Sequence, residues 1–385
     1  MQPSSRGGPI RLTGRERIQR ELGRLLGALP PALQVRLSGK PPIVVEGDTL
    51  APEIQLALAM LERRGDPRPE TLTPNEAREA RRRLSAIYAG RPPVVGSVRD
   101  LQIDANVALD ARHYAPAEAG GPHPLLVYYH GGGFLFGDLE THDGVCRLLC
   151  RHSGAHVLAI DYRLAPEHPF PAAVEDAVGA FSWAMEHAAQ LGADPARVGV
   201  GGDSAGGNLS AVVSQLTARE AGCPPALQLL IYPVTDMTRR RPSRDLFADG
   251  FLLTSSEMDW FEANYLGVAA AEVRSDPRVS PLMSETLAGL PPAIVVTASF
   301  DPLRDEGEDY ARAMQEAGTP VLLRRFPGMI HAFINMTSTS RLCRDNLVEI
   351  AGILRGAFAA LGGSQPAPAA GEDTVAAPIL GSLGP

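Results

Sequence analysis

Ser204 stands in a sequence pattern that can make a serine nucleophilic. Residues 202–206 read Gly-Asp-Ser-Ala-Gly, directly after an apolar run at 198–201 and before a helical pattern at 209–221. A serine on such a tight strand-to-helix turn is held above a sheet, and the flanking glycines leave room for the turn. The alternative is a plain glycine-rich turn. The position between strand and helix favours Ser204 as a nucleophile.

A nucleophilic serine needs a base, and that base needs an acidic partner. Among the nine histidines, His331 follows the last apolar run, 321–326, after a predicted turn at Pro327 and Gly328. Asp301 follows the run at 294–297. Because both residues come at the carboxyl ends of predicted strands, we predict His331 as the base and Asp301 as its partner. The chain order Ser, Asp, His is that of hydrolases with a nucleophile elbow.

Other histidines and acids are given different expectations. Four acidic residues are expected in the helix after Asp301, exposed to solvent: Asp305, Glu306, Glu308 and Asp309. Seven histidines precede the serine without a shared pattern and are expected to be structural or exposed: His113, His123, His142, His152, His156, His168 and His187. None of these residues is predicted to be catalytic.

Three glycines after the run at 125–129 can supply hydrogen-bond donors for an oxyanion. Residues 130–134 read His-Gly-Gly-Gly-Phe, and backbone without side chains can turn its N–H groups toward a small anion. We predict donors at Gly132 and Gly133, with a third at Ala205. A phosphate loop is the alternative, but the glycines lack the Lys-Ser/Thr ending and no dinucleotide-binding signature surrounds them.

The elements that must position these residues are predicted strands that alternate with predicted helices. Buried strands are predicted at 125–129, 157–160, 198–201, 227–232, 294–297 and 321–326, with helical patterns between most of them. An antiparallel pair is predicted at 101–103 and 107–114. Short apolar runs separated by helices are typical of an α/β fold with a mostly parallel central sheet flanked by helices.

Two regions do not follow this alternation of strands and helices. Residues 235–290 are too long for a simple crossover and contain a helical stretch at 255–266, which indicates an insertion above the sheet. The first 90 residues are mainly helical, with helices at 14–29, 52–64 and 74–88. The 14–29 helix carries Ile18, Leu22 and Leu25 on one face and arginines on the other. We expect it to cover part of its own protein; a membrane-surface helix is the alternative.

Composition excludes several function classes. The chain has 385 residues and a net charge of -8, without a long like-charge block, so no nucleic-acid partner is expected. Its apolar stretches are far shorter than the roughly 20 residues that span a bilayer. Residues 1–20 lack a signal-peptide core, so a cytoplasmic location is expected. The four cysteines have no zinc spacing, and no metal site is expected.

Five motifs together resemble the hormone-sensitive-lipase-like family (family IV) of bacterial carboxylesterases. They are HGGGF at 130–134, DYRLAPEH at 161–168, GDSAG at 202–206, DPLRDE at 301–306 and HAF at 331–333. The resemblance implies an α/β-hydrolase core without a metal or organic cofactor, and hydrolysis of small carboxylic esters through an acyl-enzyme. It also implies that His130 shapes the glycine loop and that a homodimer is possible. Phe134 and Asp203 are expected beside the substrate.

The domain prediction combines the resemblance with the chain pattern. Residues 1–93 form an arm and part of a helical cap, residues 94–362 form the catalytic core with a cap insertion at about 236–288, and residues 363–385 form a disordered tail. Short- to medium-chain esters are the expected substrates. A lipase, an amidase or a metabolite deacetylase would use the same machinery. A non-catalytic receptor on this fold would lack the base, which is present here as His331.

Overall fold

The structure, a computed structural model, describes residues 10–118, 121–220 and 223–362. Its α-helices are α1 Gly14–Gly27, α2 Pro31–Ser38, α3 Pro52–Arg64, α4 Pro74–Tyr88, α5 Asp143–Ser153, α6 Ala172–His187, α7 Ala205–Glu220, α8 Pro242–Leu246, α9 Ser255–Leu266, α10 Ala270–Val273, α11 Arg304–Glu316 and α12 Arg341–Gly362. Its strands are β1 Val44–Val45, β2 Asp48–Thr49, β3 Ser97–Ala105, β4 Val107–Ala115, β5 His123–Tyr129, β6 His156–Asp161, β7 Ala193–Asp203, β8 Gln228–Ile231, β9 Ala293–Phe300 and β10 Val321–Ile330.

A single large sheet organises the described chain. Its eight strands lie in the order β10-β9-β8-β7-β5-β6-β4-β3. The six strands from β10 to β6 are parallel to one another, whereas β4 is antiparallel to both β6 and β3. The predicted antiparallel pair and the predicted parallel sheet are both present.

Helices cover both faces of the sheet. Leu126 and Tyr128 of β5 pack in a core with α5 and α12, whereas Leu125 and Val127 pack on the other face with α6 and α7. Successive side chains of a strand point to opposite faces, so a strand covered on both sides must be apolar throughout. All eight residues of β9 are buried for this reason. The predicted fold class is confirmed.

The strand before His331 differs from the prediction. A turn was expected at Pro327 and Gly328, but in the structure β10 continues through both residues to Ile330. Its pairing with β9 is irregular after Phe326. Gly328 has φ +71° and donates its N–H to the hydroxyl oxygen of Ser299 at 2.9 Å. The proline and glycine therefore bend the strand rather than end it.

The N-terminal helices follow local signals. Thr73 caps α4, and its side chain and that of Glu76 form a reciprocal capping box. The pattern at 14–29 gives α1, which ends at Gly27, and a separate helix, α2, follows that was not predicted. Pro31 at the first turn of α2 accounts for the break, because proline is favoured there.

Helix α1 covers its own protein with only part of its apolar face. Ile18 is 70% exposed and Leu25 is 65% exposed. The helix contacts the segment after His331 through Gly27, where an added Cβ would overlap the carbonyl oxygen of Thr339. Among the described residues, no helix is both long and apolar enough to span a membrane.

Candidate active site

Four parallel strands end at one edge of the sheet and bring the predicted residues together. The glycine loop follows β5, Ser204 follows β7, Asp301 follows β9 and His331 follows β10. Because parallel strands have their carboxyl ends at the same edge, residues far apart in the chain meet there.

Ser204 occupies a sharp turn between β7 and α7. Its φ is +55°, a conformation that L-residues rarely adopt, and its N–H donates to the carbonyl oxygen of Ile231 at 2.8 Å. A Cβ at Gly206 would overlap the carbonyl oxygen of Tyr129, so only glycine lets the turn approach β5 this closely. The turn therefore has the form predicted for a nucleophile elbow.

His331 lies between Ser204 and Asp301. Its Nε2 is 3.0 Å from the hydroxyl oxygen of Ser204, and its Nδ1 is 2.8 Å from Oδ2 of Asp301. Asp301 is fully buried, and its other oxygen accepts the N–H of Leu303 at 2.8 Å. This chain of contacts can move a proton from the serine to the imidazole and hold the resulting charge.

The glycine loop faces the same point. Gly132 has φ +128° and Gly133 has φ +59°, and the carbonyl of Gly132 accepts N–H groups from Leu135 and Phe136, which turn the loop inward. Within the described chain, the N–H groups of Gly132 and Gly133 have no protein acceptor. Ala205 is the first residue of α7, where helical N–H groups have no partner in the helix. These groups can donate to an oxyanion.

Asp203 is a structural support beneath the loop. Its Oδ1 accepts the N–H of Gly131 at 2.9 Å and the hydroxyl of Tyr128 at 2.7 Å, and lies 3.4 Å from Nε2 of His142. Burial alone would raise the pKa of Asp203, but His142 and these hydrogen bonds hold it below its ordinary value.

His130 supports the loop from the other side. Its ring stacks on Tyr162 with 4.4 Å between centroids, and its Nδ1 is 2.9 Å from the carbonyl oxygen of Gly131. Burial and the neighbouring His142 lower the pKa of His130 to about 4, so its imidazole is neutral near pH 7.

A largely apolar cavity of about 150 Å³ opens above Ser204. Helix α4 lines it with Leu84 and Tyr88, and α9 lines it with Met258 and Phe261. Phe134 also lines it, with its ring stacked on Tyr265 at 3.7 Å between centroids. Asp203 is among the lining residues as well.

Several contributors were not predicted from the sequence. Arg81 of α4, which lines the cavity, forms an ion pair of 2.7 Å with Glu257 of α9. His142, expected to be structural or exposed, is buried beside Asp203. Glu306 was expected in solvent, which is wrong: it is buried, and its side-chain carboxyl accepts the N–H of Thr235 at 2.8 Å. Burial raises the pKa of Glu306 to about 8.

No group of three or more histidine, cysteine, aspartate or glutamate side chains among the described residues is placed to hold a metal ion. The four cysteines are free thiols, and three of them, Cys146, Cys150 and Cys343, are buried. The groups that this site brings together are a serine hydroxyl, an imidazole, a carboxylate and backbone N–H donors.

Comparisons with known proteins agree with this geometry. A family model for the α/β hydrolase fold matches residues 126–335. The carboxylic ester hydrolase LipN of Mycobacterium tuberculosis is 49% identical over 312 residues, 80% of this chain and 82% of that protein. The ethyl acetate hydrolase of Pseudomonas putida is 39% identical over 286 residues, 71% of this chain and 88% of that protein.

A solved structure extends the comparison to the backbone. An α/β hydrolase enzyme from the metagenome of Lake Arreo has a TM-score of 0.78 at 42% identity, over 80% of this chain and 99% of that one. Sequence identity of 42% over most of both chains shows a common family as well as a common fold. The chain belongs to the hormone-sensitive-lipase-like family of α/β hydrolases, as its five motifs predicted.

Proposed function

We propose that this chain is a serine carboxylesterase that hydrolyses short- to medium-chain esters through Ser204, His331 and Asp301. The observation that carries the proposal is the contact chain of 3.0 Å from Ser204 to His331 and 2.8 Å from His331 to Asp301. The esterases among its relatives support the reaction class.

The reaction proceeds in two steps. The hydroxyl oxygen of Ser204 attacks the acyl carbon while Nε2 of His331 takes the proton, and His331 returns that proton to the departing alcohol as the ester C–O bond breaks. Water then attacks the acyl carbon with His331 as base, the bond from that carbon to the oxygen of Ser204 breaks, and His331 returns the proton to Ser204 as the acid leaves. Asp301 keeps Nδ1 protonated and stabilises the imidazolium.

Backbone donors stabilise the charge that develops on the carbonyl oxygen. We assign Gly132, Gly133 and Ala205 to this role, since the glycine N–H groups have no acceptor in the described protein and Ala205 begins a helix beside the nucleophile. Removing one such donor typically costs about 3 to 4 kcal/mol of transition-state stabilisation. Phe134 and Asp203 line the cavity and take part in shaping the pocket rather than in the bond changes.

The cavity supports esters of modest size. About 150 Å³ of mainly apolar space accommodates a short chain, and a dry apolar cavity of about this volume holds a molecule the size of benzene. The helices before residue 94 and the insertion at about 236–288 act as the cap that sets this limit. Lipase, amidase and deacetylase activities on the same machinery remain the alternatives, and a panel of substrates separates them.

A fluorophosphonate tests the nucleophile directly. We expect the intact protein to gain one label, located at Ser204 by peptide mass spectrometry, and Ser204→Ala to gain none while retaining its circular dichroism spectrum. Rates on p-nitrophenyl esters from acetate to palmitate should peak at short chains. Absence of labelling and of hydrolysis would reject the esterase and favour a small-molecule receptor.

Two further proposals concern the setting of the enzyme. The cytoplasmic location and the homodimer stay predictions from the sequence. Light scattering after size-exclusion chromatography tests the dimer, since a single species of monomer mass over a wide concentration range would reject it.

A further inference from the structure

A second cavity of about 220 Å³ lies between α1, α3 and α4. Apolar side chains from all three helices form most of its wall: Leu22, Leu26, Leu56, Ala57, Met60 and Ile87. Two of its charged wall residues are engaged elsewhere, since Glu53 accepts backbone N–H groups of Arg341 and Leu342, and Arg64 pairs with Asp66 at 2.8 Å. A cavity of this kind suits an apolar guest better than water, which needs two to four polar partners.

The second cavity adjoins the catalytic one. Helix α3 lines the catalytic cavity with Leu61 and the second cavity with Met60, and α4 lines both. The segment after His331 also reaches both, through Met336 in one and Thr339 in the other. Tyr88 lines both cavities. No other described residue lines both, so Tyr88 lies at the boundary between them.

The backbone of Tyr88 is held by a contact that does not involve its side chain. It is the last residue of α4, and its carbonyl oxygen accepts the N–H of Ser338 at 3.1 Å. Its side chain packs against the core on one side of the sheet. A smaller side chain at position 88 would leave the helix end in place and join the two spaces.

We propose that Tyr88 sets the limit on the alkyl-chain length of the substrate, because its side chain closes off the second cavity, which would take the far end of a longer chain if that side chain were smaller. The inference rests on the esterase function proposed above. The alkyl chain can belong to the acyl group or to the alcohol of the ester. Each methylene group buried contributes about a fourfold gain in affinity, so several methylenes in the second cavity give a large effect.

The test compares Tyr88→Ala with the wild type and with Tyr88→Phe, which keeps the ring. One arm uses p-nitrophenyl esters from acetate to palmitate, and the other uses acetate esters of increasingly long alcohols. We expect Tyr88→Ala to raise kcat/KM for long chains relative to short ones by at least about tenfold, and Tyr88→Phe to keep the wild-type profile. A gain in the acyl series would show that the alkyl chain belongs to the acyl group, and a gain in the alcohol series would show that it belongs to the alcohol. Tyr88→Leu repeats the test if the alanine variant does not fold.

Filling the second cavity provides the decisive control. Ala57→Leu projects into it from α3, and Leu22→Trp closes it from α1. Combined with Tyr88→Ala, either substitution should return the profile to that of the wild type. A profile unchanged by Tyr88→Ala in both arms overturns the inference, and so does a gain that survives both filling substitutions. If the wild type hydrolyses no ester in either arm, the proposed function itself fails.

Discussion

The carboxylate of Asp203 accepts the N–H of Gly131 at 2.9 Å, so the residue before the nucleophile holds the start of the oxyanion loop. Asp203→Ala leaves the Gly131 N–H and the Tyr128 hydroxyl without this buried acceptor. A hydrogen bond to a charged group contributes about 1.5 to 3 kcal/mol. We expect kcat on p-nitrophenyl butyrate to fall about tenfold to a hundredfold, with KM little changed.

Tyr128→Phe is the matched control for Asp203. It removes one donor to the same carboxylate but leaves the Gly131 bond intact. We expect its kcat to stay closer to that of the wild type. Equal losses in the two variants would mean that Asp203 does not act through the loop.

Gly133→Ala should damage the oxyanion loop itself. Gly133 has φ +59°, and an added Cβ would overlap the ring of Phe261. The loop must shift, and a displaced donor costs about 10²- to 10³-fold in kcat. Gly144→Ala in α5 is the control, because no atom lies within 4 Å of its added Cβ. Wild-type kcat in Gly133→Ala would remove this glycine from the proposed donors.

Gly27→Ala should detach α1. Because its Cβ would overlap the backbone carbonyl of Thr339, no side-chain motion can relieve the clash. Overpacking of this kind costs about 1 to 3 kcal/mol, so we expect trypsin to cut α1 about tenfold faster or more. Gly14→Ala, whose Cβ meets no atom within 4 Å, should be cut at the wild-type rate. Equal cleavage in the two variants would contradict the close contact.

The contribution of Glu306 to the free energy of unfolding depends on pH. Burial raises its pKa to about 8, above the ordinary value of 4.5, so the folded state holds the proton more tightly than the unfolded one. This contribution is full below about pH 4.5 and is lost as the pH rises through about 8. We expect the Tm of the wild type to fall between these values relative to Glu306→Gln. The exposed Glu285→Gln should follow the wild type; parallel curves for all three proteins would exclude Glu306 as the cause.

The sequence predicts the location of a residue well when that residue directly follows a buried strand. Ser204, Asp301 and His331 each follow an apolar run, and parallel strands ending at one edge bring such residues together. The triad and the fold class could therefore be predicted without any side-chain contact. The glycine loop could be predicted for the same reason, since it follows β5.

The features that the sequence did not predict depend on packing between segments that are distant in the chain. Arg81 and Glu257 meet because α4 and α9 line the same cavity, and neither residue has a local signal for this pairing. Helix α1 has an amphipathic pattern, but its exposed Ile18 and Leu25 depend on how α3 and α4 lie beside it. Glu306 lies in an acidic run typical of an exposed helix, and the backbone N–H groups that donate to its buried side chain belong to the distant residues Thr235 and Asp236.

The contact of Gly27 with Thr339 also constrains the order in which the chain can fold. Helix α1 packs against α3 and α4, which lie near it in the chain, whereas Thr339 belongs to a segment that is synthesised much later. Pairing of segments so far apart in sequence is slow, because a large loop must close first. The contact that fixes the end of α1 therefore cannot form until the segment after His331 has been made, so the wall of the second cavity that Thr339 supplies is completed late in synthesis.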